Sequence, residues 1–366
     1  MKIVYDYQIF AGQQFGGISR YFVALASAIA RSGDRGTILA PVHVNQHLRA
    51  APEKVAVGRY VPSVKYTGAL IKGIDALLFG PMTRRIAPDI VHETYYPRSP
   101  SFHGAVPVVT TVHDMIHERF PRAFPAGDPT AARKAQAVHR ADHVICVSEN
   151  TRRDLLDAHA LPENQVSVIY QGCDRLEPGE RSASQLVGTT PYVLYVGARN
   201  GYKNFRGLVE ALTRSAVLRN DLRIVCVGGG AISTAEREAY AAAGLKHHAV
   251  MHVSQSDDAS LGALYTGAIA LVYPSLYEGF GIPVLEAMLL GCPVICSNSS
   301  SLPEVAGDAA EYFAPGETDD LRAALEAVVG SRSRQEDLAR RGRLRAALFS
   351  WQKCARETLQ VYRSLM

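Results

Sequence analysis

Short apolar runs alternate along the chain with longer segments whose apolar residues recur at helical spacing. Runs that are apolar nearly throughout are typical of parallel strands covered by helices on both faces. The alternation of strand and helix patterns runs twice, so it predicts two doubly wound α/β domains. Helices are predicted to include 18–31, 150–158, 205–215 and 283–290, and strands are predicted at 2–5, 37–40, 106–112, 143–147, 166–170, 192–196, 222–227, 249–253, 268–273 and 293–297.

A polar stretch rich in Gly, Ser, Thr and Pro, residues 174–191, separates the two series of strands. Such a composition is typical of an interdomain linker. We therefore expect an N-terminal domain over residues 1–178 and a C-terminal domain over residues 190–350. Residues 351–366 have apolar positions at helical spacing, and we expect this helix to pack back on the N-terminal domain.

Composition and charge exclude several classes of protein. Of the 366 residues, 47% are hydrophobic and 20% are charged, which excludes disordered, collagen-like and disulfide-stabilised miniprotein classes. The net charge of +4 is compatible with anionic ligands such as phosphates, and we expect no nucleic-acid partner. Three of the six cysteines lie in apolar runs and no zinc-ligand pattern is complete, so we expect free thiols in the reducing cytoplasm.

Signals for a membrane are weak in this sequence. Asp6 interrupts the first apolar run too early for a signal peptide, and no run reaches the roughly 20 residues of a membrane span. Residues 68–86 combine an apolar face with Lys72, Arg84 and Arg85. This pattern predicts either an ordinary amphipathic surface helix or a helix in peripheral contact with the cytoplasmic face of the inner membrane.

The segment 271–297 carries the strongest signal for a ligand site. A predicted strand ends at its start, and Pro283 suits the first position of the helix that follows. Between them, Gly279 and Gly281 would let the backbone approach an anion closely. Free N–H groups at a helix N-terminus bind phosphate, so the loop predicts a phosphate site.

Two carboxylates flank this predicted phosphate site. Glu278 precedes it, and Glu286 falls in the first turn of the predicted helix. Carboxylates so placed can accept hydrogen bonds from hydroxyls on either side of a diphosphate, which is the layout of a nucleotide-sugar. The alternative is that Glu286 is a favourable first-turn acid and Glu278 a solvated loop residue.

Two further loops follow predicted strands and precede predicted helices. The loop after the sixth predicted strand carries Arg199 and Lys203, which suit a diphosphate leaving group or are simply solvated cations. The loop after the first strand carries Gly16 and Gly17, which suit an approach to an anion or an ordinary turn. Neither this pair nor the glycines at 228–230 form a G-x-G-x-x-G fingerprint, which disfavours a nicotinamide-dependent enzyme.

Glu278 and Glu286, within YEGFGIPVLEAM, resemble the signature of the family-4 retaining glycosyltransferases of GT-B fold. Further segments are similar to the family in the same order: GGISRYF, TTVHDMIHERFP, ADHVICVSENTRRDL, LYVGARNGYKNF and PEVAGDAAEYF. The resemblance extends over nearly the whole chain. It implies two Rossmann-like doubly wound domains facing across a cleft, an acceptor-side domain first and a nucleotide-sugar-binding domain second.

The resemblance also implies roles for individual residues. In the family, an arginine and a lysine on one post-strand loop clamp the donor diphosphate. Lys203 matches this pattern well; Arg199 matches it less closely, because the family often has arginine where this chain has Tyr202. A histidine at the position of His113 lies beside the donor sugar, and the loop that starts at Ser254 holds the base.

The remaining assignments concern sugar, ribose and acceptor. By resemblance, Glu278 holds the sugar and Glu286 the ribose. The expected catalytic residues are thus Glu278, Lys203, Arg199 and His113. The expected donor-binding residues are Gly16, Gly17, Gly279, Phe280, Gly281, Ile282, Glu286 and Ser254, and acceptor-side contacts are assigned more weakly to His92, Glu93 and His117. For Arg152 the alternatives are a contact with an acceptor or phosphate, as the resemblance implies, and a plain helix start.

The reaction implied by the family is hexosyl transfer with retention of configuration on the front face of the sugar. No carboxylate pair is suggested at the spacing of a double displacement. No D-x-D motif occurs in the candidate loops, so we expect no cofactor and no obligatory metal.

The GARNGYKNF loop resembles bacterial mannosyltransferases of surface-polysaccharide assembly, such as lipopolysaccharide. This implies GDP-mannose as the nucleotide-sugar donor and a glycan or lipid-linked acceptor. UDP-glucose or a UDP-N-acetylhexosamine is the alternative donor. A sugar-nucleotide epimerase-like enzyme and a non-catalytic nucleotide-sugar-binding protein stay open as other classes.

Overall fold

The computed structural model describes residues 1–63, 67–177, 179–199, 201–246, 248–254 and 257–366. The chain divides into two compact units. Unit 1 combines Met1–Gly172 with Ser350–Met366, and unit 2 is Cys173–Phe349. The predicted linker 174–191 thus belongs to unit 2, and it contains a helix, Ala183–Val187; Pro178 lies outside the described residues.

Unit 1 is built on a parallel sheet. Its strands are β1 Lys2–Tyr5, β2 Arg35–His43, β3 Ala56–Tyr60, β4 Ile90–Glu93, β5 Val108–Val112, β6 His143–Cys146 and β7 Val166–Val168. Its first helices are α1 Gln8–Gly12, α2 Gly17–Arg31, α3 Gln46–Arg49, α4 Gly68–Ile86, α5 Ile116–Arg119, α6 Thr130–Arg140 and α7 Glu149–Ala158. Within the described ranges the strand order is β3-β2-β1-β4-β5-β6-β7, so the direction of winding reverses between β1 and β4.

Unit 2 has a second parallel sheet. Its strands are β8 Tyr192–Val196, β9 Arg223–Val227, β10 Val250–Val253, β11 Ala270–Tyr273, β12 Val294–Ser297 and β13 Glu311–Phe313. Its helices are α8 Ala183–Val187, α9 Phe205–Arg214, α10 Thr234–Ala242, α11 Asp258–Gly267, α12 Ile282–Leu289, α13 Leu302–Ala306, α14 Thr318–Val329 and α15 Arg332–Ala346. The order β10-β9-β8-β11-β12-β13 reverses between β8 and β11, which pair through Ala270 with Val193 and Leu271 with Leu194.

The prediction of two doubly wound α/β domains is confirmed by these sheets. Each topological reversal opens a crevice at the carboxyl ends of two neighbouring strands, where ligands of such sheets bind. The pattern of apolar residues misses three strands, β3, β4 and β13. β3 is half-exposed, β13 is only three residues long, and β4 contains the polar residues His92 and Glu93.

The final helix, α16 Trp351–Ser364, belongs to unit 1. The Tyr362 hydroxyl lies 2.5 Å from Nδ1 of buried His92 and 3.3 Å from the hydroxyl of Tyr5. Trp351 packs edge-on against Tyr21, with ring centroids 5.7 Å apart. The helix therefore covers polar and aromatic groups that β1, β4 and α2 would otherwise expose.

Helix α4 coincides with the predicted amphipathic segment 68–86. It buries Ile71, Asp75, Phe79 and Thr83 and leaves leucines exposed on another face. In the part of the chain that the structure describes, no helix combines the length and the apolar character needed to cross a bilayer.

Asp75 is expected to make unit 1 less stable as the pH rises. Its Oδ1 accepts a hydrogen bond from the Val42 N–H at 2.8 Å, whereas its buried Oδ2 has no partner among the described residues. Burial raises the pKa of Asp75 to about 6. Because the folded state then binds the proton more tightly than the unfolded state, stability falls between about pH 4 and about pH 6 and stays lower above.

The Asp75→Asn variant keeps the acceptor for Val42 and removes the charge. We expect it to unfold at higher urea than the wild type at about pH 8, by on the order of 2 kcal/mol, with the difference shrinking towards pH 4. An equal difference at both pH values would show that the substitution acts through packing alone.

Candidate active site

The reversal in the sheet of unit 2 brings two of the predicted loops together. Residues 197–204 follow β8, and residues 274–281 follow β11, so both loops leave the carboxyl ends of adjacent strands. The Leu276 N–H donates to the Tyr202 carbonyl at 2.7 Å and ties the loops to each other. This is the position at which sheets of this type bind ligands.

Lys203 and Glu278 meet at this point. The Lys203 ammonium donates to Oε1 of Glu278 at 2.7 Å, and the two side chains are only 17% and 8% exposed. Burial alone would lower the pKa of Lys203, but the attraction of Glu278 raises it well above its usual value. Lys203 is therefore a permanent cation beside a loop whose glycines suit a phosphate, and Glu278 is a buried side chain rather than a solvated loop residue.

Tyr273, the last residue of β11, lies beneath this ion pair. Its hydroxyl is 3.4 Å from the Lys203 ammonium, which also lies 5.5 Å from the centre of the Tyr273 ring. Burial, and then the charge of Glu278, raise the pKa of Tyr273 well above its usual value, so its hydroxyl stays protonated. The sequence pattern treats this tyrosine as an ordinary strand residue.

Removing the Tyr273 hydroxyl tests whether it positions Lys203. We expect Tyr273→Phe to lower kcat by about tenfold with little change in KM, because a hydrogen bond to a charged group is lost while the ring stays. Steady-state transfer kinetics measure this. The matched control is Tyr312→Phe, which removes a hydroxyl bonded to the Gly307 carbonyl outside the site; unchanged kcat in Tyr273→Phe would leave Tyr273 with a packing role only.

The loop that carries Glu278 is shaped by one glycine. Gly281 is the N-cap of α12 with φ of +111°, a conformation that side-chain-bearing residues rarely adopt. A Cβ added there would lie 2.9 Å from the Leu302 side chain. Pro283 is the second residue of α12, and no side chain caps this helix N-terminus in the described structure. The predicted loop thus leads through a glycine N-cap into α12.

A run of serines after β12 holds this loop in place. Ser301 Oγ donates to the carbonyls of Glu278 and Phe280, both at 2.9 Å, and Ser300 Oγ accepts from the Glu278 N–H at 2.8 Å. Ser299 Oγ donates to the Leu276 carbonyl at 2.7 Å. The spacing of apolar residues gives these serines no role; the local signal that points to them is the run NSSS directly after the predicted strand 293–297.

Glu286 lies one residue further along α12 than predicted. The helix begins at Ile282, so Glu286 is its fifth residue and not a first-turn acid. It is buried, and its Oε2 accepts a hydrogen bond from the Tyr265 hydroxyl at 3.0 Å. A carboxylate held by a buried tyrosine has a fixed orientation.

Arg199 forms its hydrogen bonds with groups other than Lys203 and Glu278. Its Nε donates to Glu236 at 2.8 Å, and its Nη1 donates to the Gly228 carbonyl at 3.0 Å. The hydrogen bond from Arg199 lowers the pKa of Glu236 to about 2. These contacts tie the glycine turn 228–230 to helix α10. The predicted role of Arg199 at the diphosphate stays a prediction.

Ser254 follows β10 and lines a cavity. This cavity measures about 500 Å³, and its other lining residues include Ile232, Tyr240 and His252. Gln255 and Ser256, in the loop expected to hold the base, lie outside the described residues. Across the described residues, no three His, Cys, Asp or Glu side chains converge as they would around a metal ion.

Comparison with known families covers nearly the whole chain. Residues 15–175 match the model described as Glycosyltransferase Family 4, and residues 178–345 match that of Glycosyl transferases group 1. The chain belongs to glycosyltransferase family 4. The glycine turn, Lys203 and the two glutamates of this glycosyltransferase all fall within the second match.

Relatives and solved structures agree with this assignment. O-antigen chain mannosyltransferase B of Escherichia coli is 28% identical over 75% of each chain. MMP alpha-(1->4)-mannosyltransferase of Mycolicibacterium hassiacum is 30% identical over 60% of this chain and 53% of its own. Sucrose-phosphate synthase of Thermosynechococcus elongatus superposes with a TM-score of 0.76 at 20% identity, covering 100% and 99% of the two chains. The expected GT-B fold is confirmed.

In unit 1 of the glycosyltransferase, His113 directly follows β5. It is 9% exposed and packs edge-on against Tyr21, with ring centroids 5.0 Å apart, while its Nε2 has no partner among the described residues. Burial lowers the pKa of His113 to about 4, so the ring is neutral at physiological pH. A neutral imidazole with an unused nitrogen can hydrogen-bond a hydroxyl but cannot stabilise a phosphate by charge.

Gly16 and Gly17 begin helix α2 as predicted. Gly16 is its N-cap, and a Cβ there would lie only 2.2 Å from the Gln13 side chain. Ser19 Oγ donates to the Gly16 carbonyl at 3.0 Å, and no side chain caps the helix within the described residues. The backbone N–H groups at the N-terminus of α2 therefore remain accessible, at the edge of the sheet where β1 ends.

The residues assigned more weakly to the acceptor each contact other groups of unit 1. His92 lies inside the sheet, with Nδ1 at Tyr362 and Nε2 2.9 Å from the Thr111 hydroxyl. Glu93 accepts from Arg140 at 2.7 Å. Arg152 pairs with Glu163 at 3.1 Å, and His117 stacks on Phe124. The structure thus places all four residues in unit 1, and their assignment to the acceptor stays a prediction.

Proposed function

We propose that this glycosyltransferase moves mannose from GDP-mannose to a glycan or lipid-linked acceptor in surface-polysaccharide assembly. The observation that carries the proposal is the buried Lys203–Glu278 pair at the reversal of the unit 2 sheet. The choice of mannose is supported by relatives named as mannosyltransferases, including O-antigen chain mannosyltransferase B.

In the proposed complex, the donor diphosphate lies against Lys203 and the uncapped N-terminus of α12. An anion there gains both the ammonium charge and the helix N–H groups. Glu278 accepts hydrogen bonds from the sugar hydroxyls, and Glu286 accepts one from the ribose. The ion pair with Glu278 keeps Lys203 in place before the donor arrives, so no reorganisation is needed when the leaving group gains charge.

We propose that transfer proceeds with retention on the front face of the sugar. The bond from the anomeric carbon to the diphosphate oxygen breaks, and the acceptor oxygen bonds to the anomeric carbon on the same face. The departing diphosphate oxygen takes the acceptor proton. Lys203 neutralises the charge of the leaving group, which supports a reaction without an obligatory divalent ion. Full loss of activity in a chelator would refute this last point.

Calorimetry with GDP, UDP and ADP, each with and without magnesium, tests the donor. Micromolar binding of GDP with weak binding of UDP is the expected result. Preferential binding of UDP would favour UDP-glucose or a UDP-N-acetylhexosamine; this alternative has its own support, since Anabaena HepE, with a TM-score of 0.74 at 16% identity, was solved with UDP-glucose. Binding of none of the three would refute the donor site itself.

Product analysis separates the enzyme classes. Nuclear magnetic resonance of the product glycoside reads the anomeric configuration, and an inverted product would refute the front-face mechanism. Rearrangement or release of the sugar without an acceptor would indicate an epimerase-like enzyme. Donor binding without transfer to any acceptor would indicate a binding protein.

We further propose that the enzyme works in the cytoplasm, at the cytoplasmic face of the inner membrane. The amphipathic helix α4, with exposed leucines and cations, supports peripheral contact. Fractionation of cells that express the protein tests this; recovery in the periplasm would contradict it.

A further inference from the structure

A lysine lies buried beneath the loop that follows β5. Lys134, on α6, is only 1% exposed, whereas the other buried residues of this helix, Ala137 and Val138, are apolar. Burying an ammonium group is costly unless it is paired and hydrogen-bonded, and an apolar residue of similar volume is often at least as stabilising. Core packing alone therefore does not explain a lysine at this position.

The Lys134 ammonium holds two parts of the chain after β5. It donates to the Asp114 carbonyl at 2.7 Å and to Oε2 of Glu118 at 2.8 Å. Asp114 is the second residue after the strand, and Glu118 belongs to the short helix α5. One buried cation thus fixes both the start of the loop and the helix that follows it.

The charge of Lys134 is compensated within unit 1. Besides Glu118, the Asp114 carboxylate lies 3.9 Å from the ammonium, and its Oδ1 also accepts from the Ile116 N–H at 3.0 Å. The centre of the Tyr96 ring lies 5.6 Å from the ammonium. Two carboxylates thus face one buried cation, so the contacts of Lys134 are those of a residue that holds a loop and not those of an anion site.

The loop that Lys134 holds begins with His113. The imidazole packs edge-on against Tyr21 and Phe22 of α2, with ring centroids 5.0 Å and 5.8 Å apart. These rings fix the plane of the imidazole, and the bond from Lys134 to the Asp114 carbonyl fixes the backbone next to it. Such precision matters for catalysis, because a displacement of about 1 Å caused far from the chemistry can lower a rate about 100-fold.

We propose that Lys134 is a positioning residue for sugar transfer: its buried ammonium holds the Asp114 carbonyl, and with it His113, in the place that the reaction requires. The proposal rests on the proposed function and on the role beside the donor sugar that the family resemblance implies for His113. Lys134 acts through the loop and does not itself contact the substrate, since it is buried.

Two variants of the full-length protein separate the ion pair from the contact with the loop. Glu118→Gln removes the ion pair, but the amide oxygen still accepts from Lys134, so we expect kcat within about twofold of the wild type. Lys134→Met, made in the Glu118→Gln protein, removes the ammonium without leaving a Glu118 carboxylate unpaired. We expect kcat to fall about 10- to 100-fold relative to Glu118→Gln, with the KM for the donor within about twofold.

A double-mutant cycle tests whether Lys134 acts through His113. In a His113→Ala background, Lys134→Met with Glu118→Gln is expected to lower kcat by less than about twofold further, because residues that act as one unit are not additive. An equal loss of kcat with and without His113 would overturn the proposal. Lys134→Gln with Glu118→Gln is a second replacement, one bond shorter than lysine but still polar, and is expected to give the same loss of kcat if the methionine disturbs folding.

The matched control lies in unit 2. Arg341, on α15, also donates to a loop carbonyl, that of Asp308, and pairs with Asp337 at 2.8 Å. Arg341→Met with Asp337→Asn is therefore expected to leave kcat unchanged. Urea unfolding and calorimetry with GDP follow the fold and the donor site of every variant. A wild type that binds no nucleotide and transfers no sugar refutes the proposed function and this proposal with it, whereas an active wild type with equally active Lys134 variants refutes this proposal alone.

Discussion

Lys203→Ala is expected to lower kcat/KM for sugar transfer by about 10²–10³, the usual effect of removing one preorganised group that stabilises developing charge. The physical reason is the loss of the cation that neutralises the departing diphosphate. Glu278 would also lose its 2.7 Å ion pair and stand buried without compensation. Steady-state kinetics on purified protein, with circular dichroism to verify the fold, measure the effect.

Arg206→Ala is the matched control for this variant. Arg206 lies three residues further along the chain, on α9, where it is 91% exposed and, among the described residues, pairs with Glu210. Its removal subtracts the same charge from the same region and is expected to leave transfer within about twofold of the wild type. Near-wild-type turnover of Lys203→Ala would remove Lys203 from the proposed mechanism.

Arg199→Ala separates two roles for the other predicted cation. If Arg199 only braces the glycine turn 228–230, the variant loses thermal stability together with donor affinity. If Arg199 breaks its ion pair with Glu236 and binds the donor diphosphate instead, kcat at saturating donor falls, whereas thermal stability changes little. The contacts with Glu236 and the Gly228 carbonyl favour the bracing role, so we expect the first outcome.

Tyr362→Ala is expected to destabilise unit 1 by about 3–5 kcal/mol, the usual cost of deleting a buried aromatic side chain. Tyr362 is fully buried, and its loss also leaves Nδ1 of His92 without its partner. Because Trp351 is the only tryptophan and lies on the same helix, its fluorescence during urea unfolding reports on unit 1.

Two further variants calibrate this result. Tyr362→Phe keeps the ring and removes only the hydroxyl, so its cost is expected to be about 1–3 kcal/mol. Arg363→Ala, at the adjacent and 58% exposed position, loses only a surface ion pair with Asp34 and is expected to cost less than about 1 kcal/mol. A Tyr362→Ala variant as stable as Arg363→Ala would mean that α16 contributes little to unit 1.

The fold was largely predictable because both sheets are parallel and buried, which makes their strands continuous apolar runs. β4 is the informative exception. His92 and Glu93 are polar, yet both are buried, because each finds its partner on another element: Tyr362 for His92 and Arg140 for Glu93. Partners so far apart in the sequence leave no local pattern, so the spacing of apolar residues along the chain does not predict β4.

The site was predictable where local chemistry determines it. Gly281 requires a positive φ, and the loop around it therefore has a local signature. Arg199 and Lys203 look equivalent in the sequence, since they lie on one loop. Their different environments depend on Glu236 and Glu278, which are distant in sequence, and only the folded chain distinguishes the two cations.

The return of the chain from unit 2 to unit 1 at Ser350 has a consequence for biosynthesis. The sheet of unit 1 leaves the ribosome first, but the helix that covers His92, Tyr5 and Tyr21 follows only after all of unit 2. At about 5–20 residues per second, about 10–40 s pass between the synthesis of the unit 1 sheet and that of helix α16, which covers it. During that interval unit 2 is the first part that can complete its fold, and the face of unit 1 that α16 later covers is exposed to solvent.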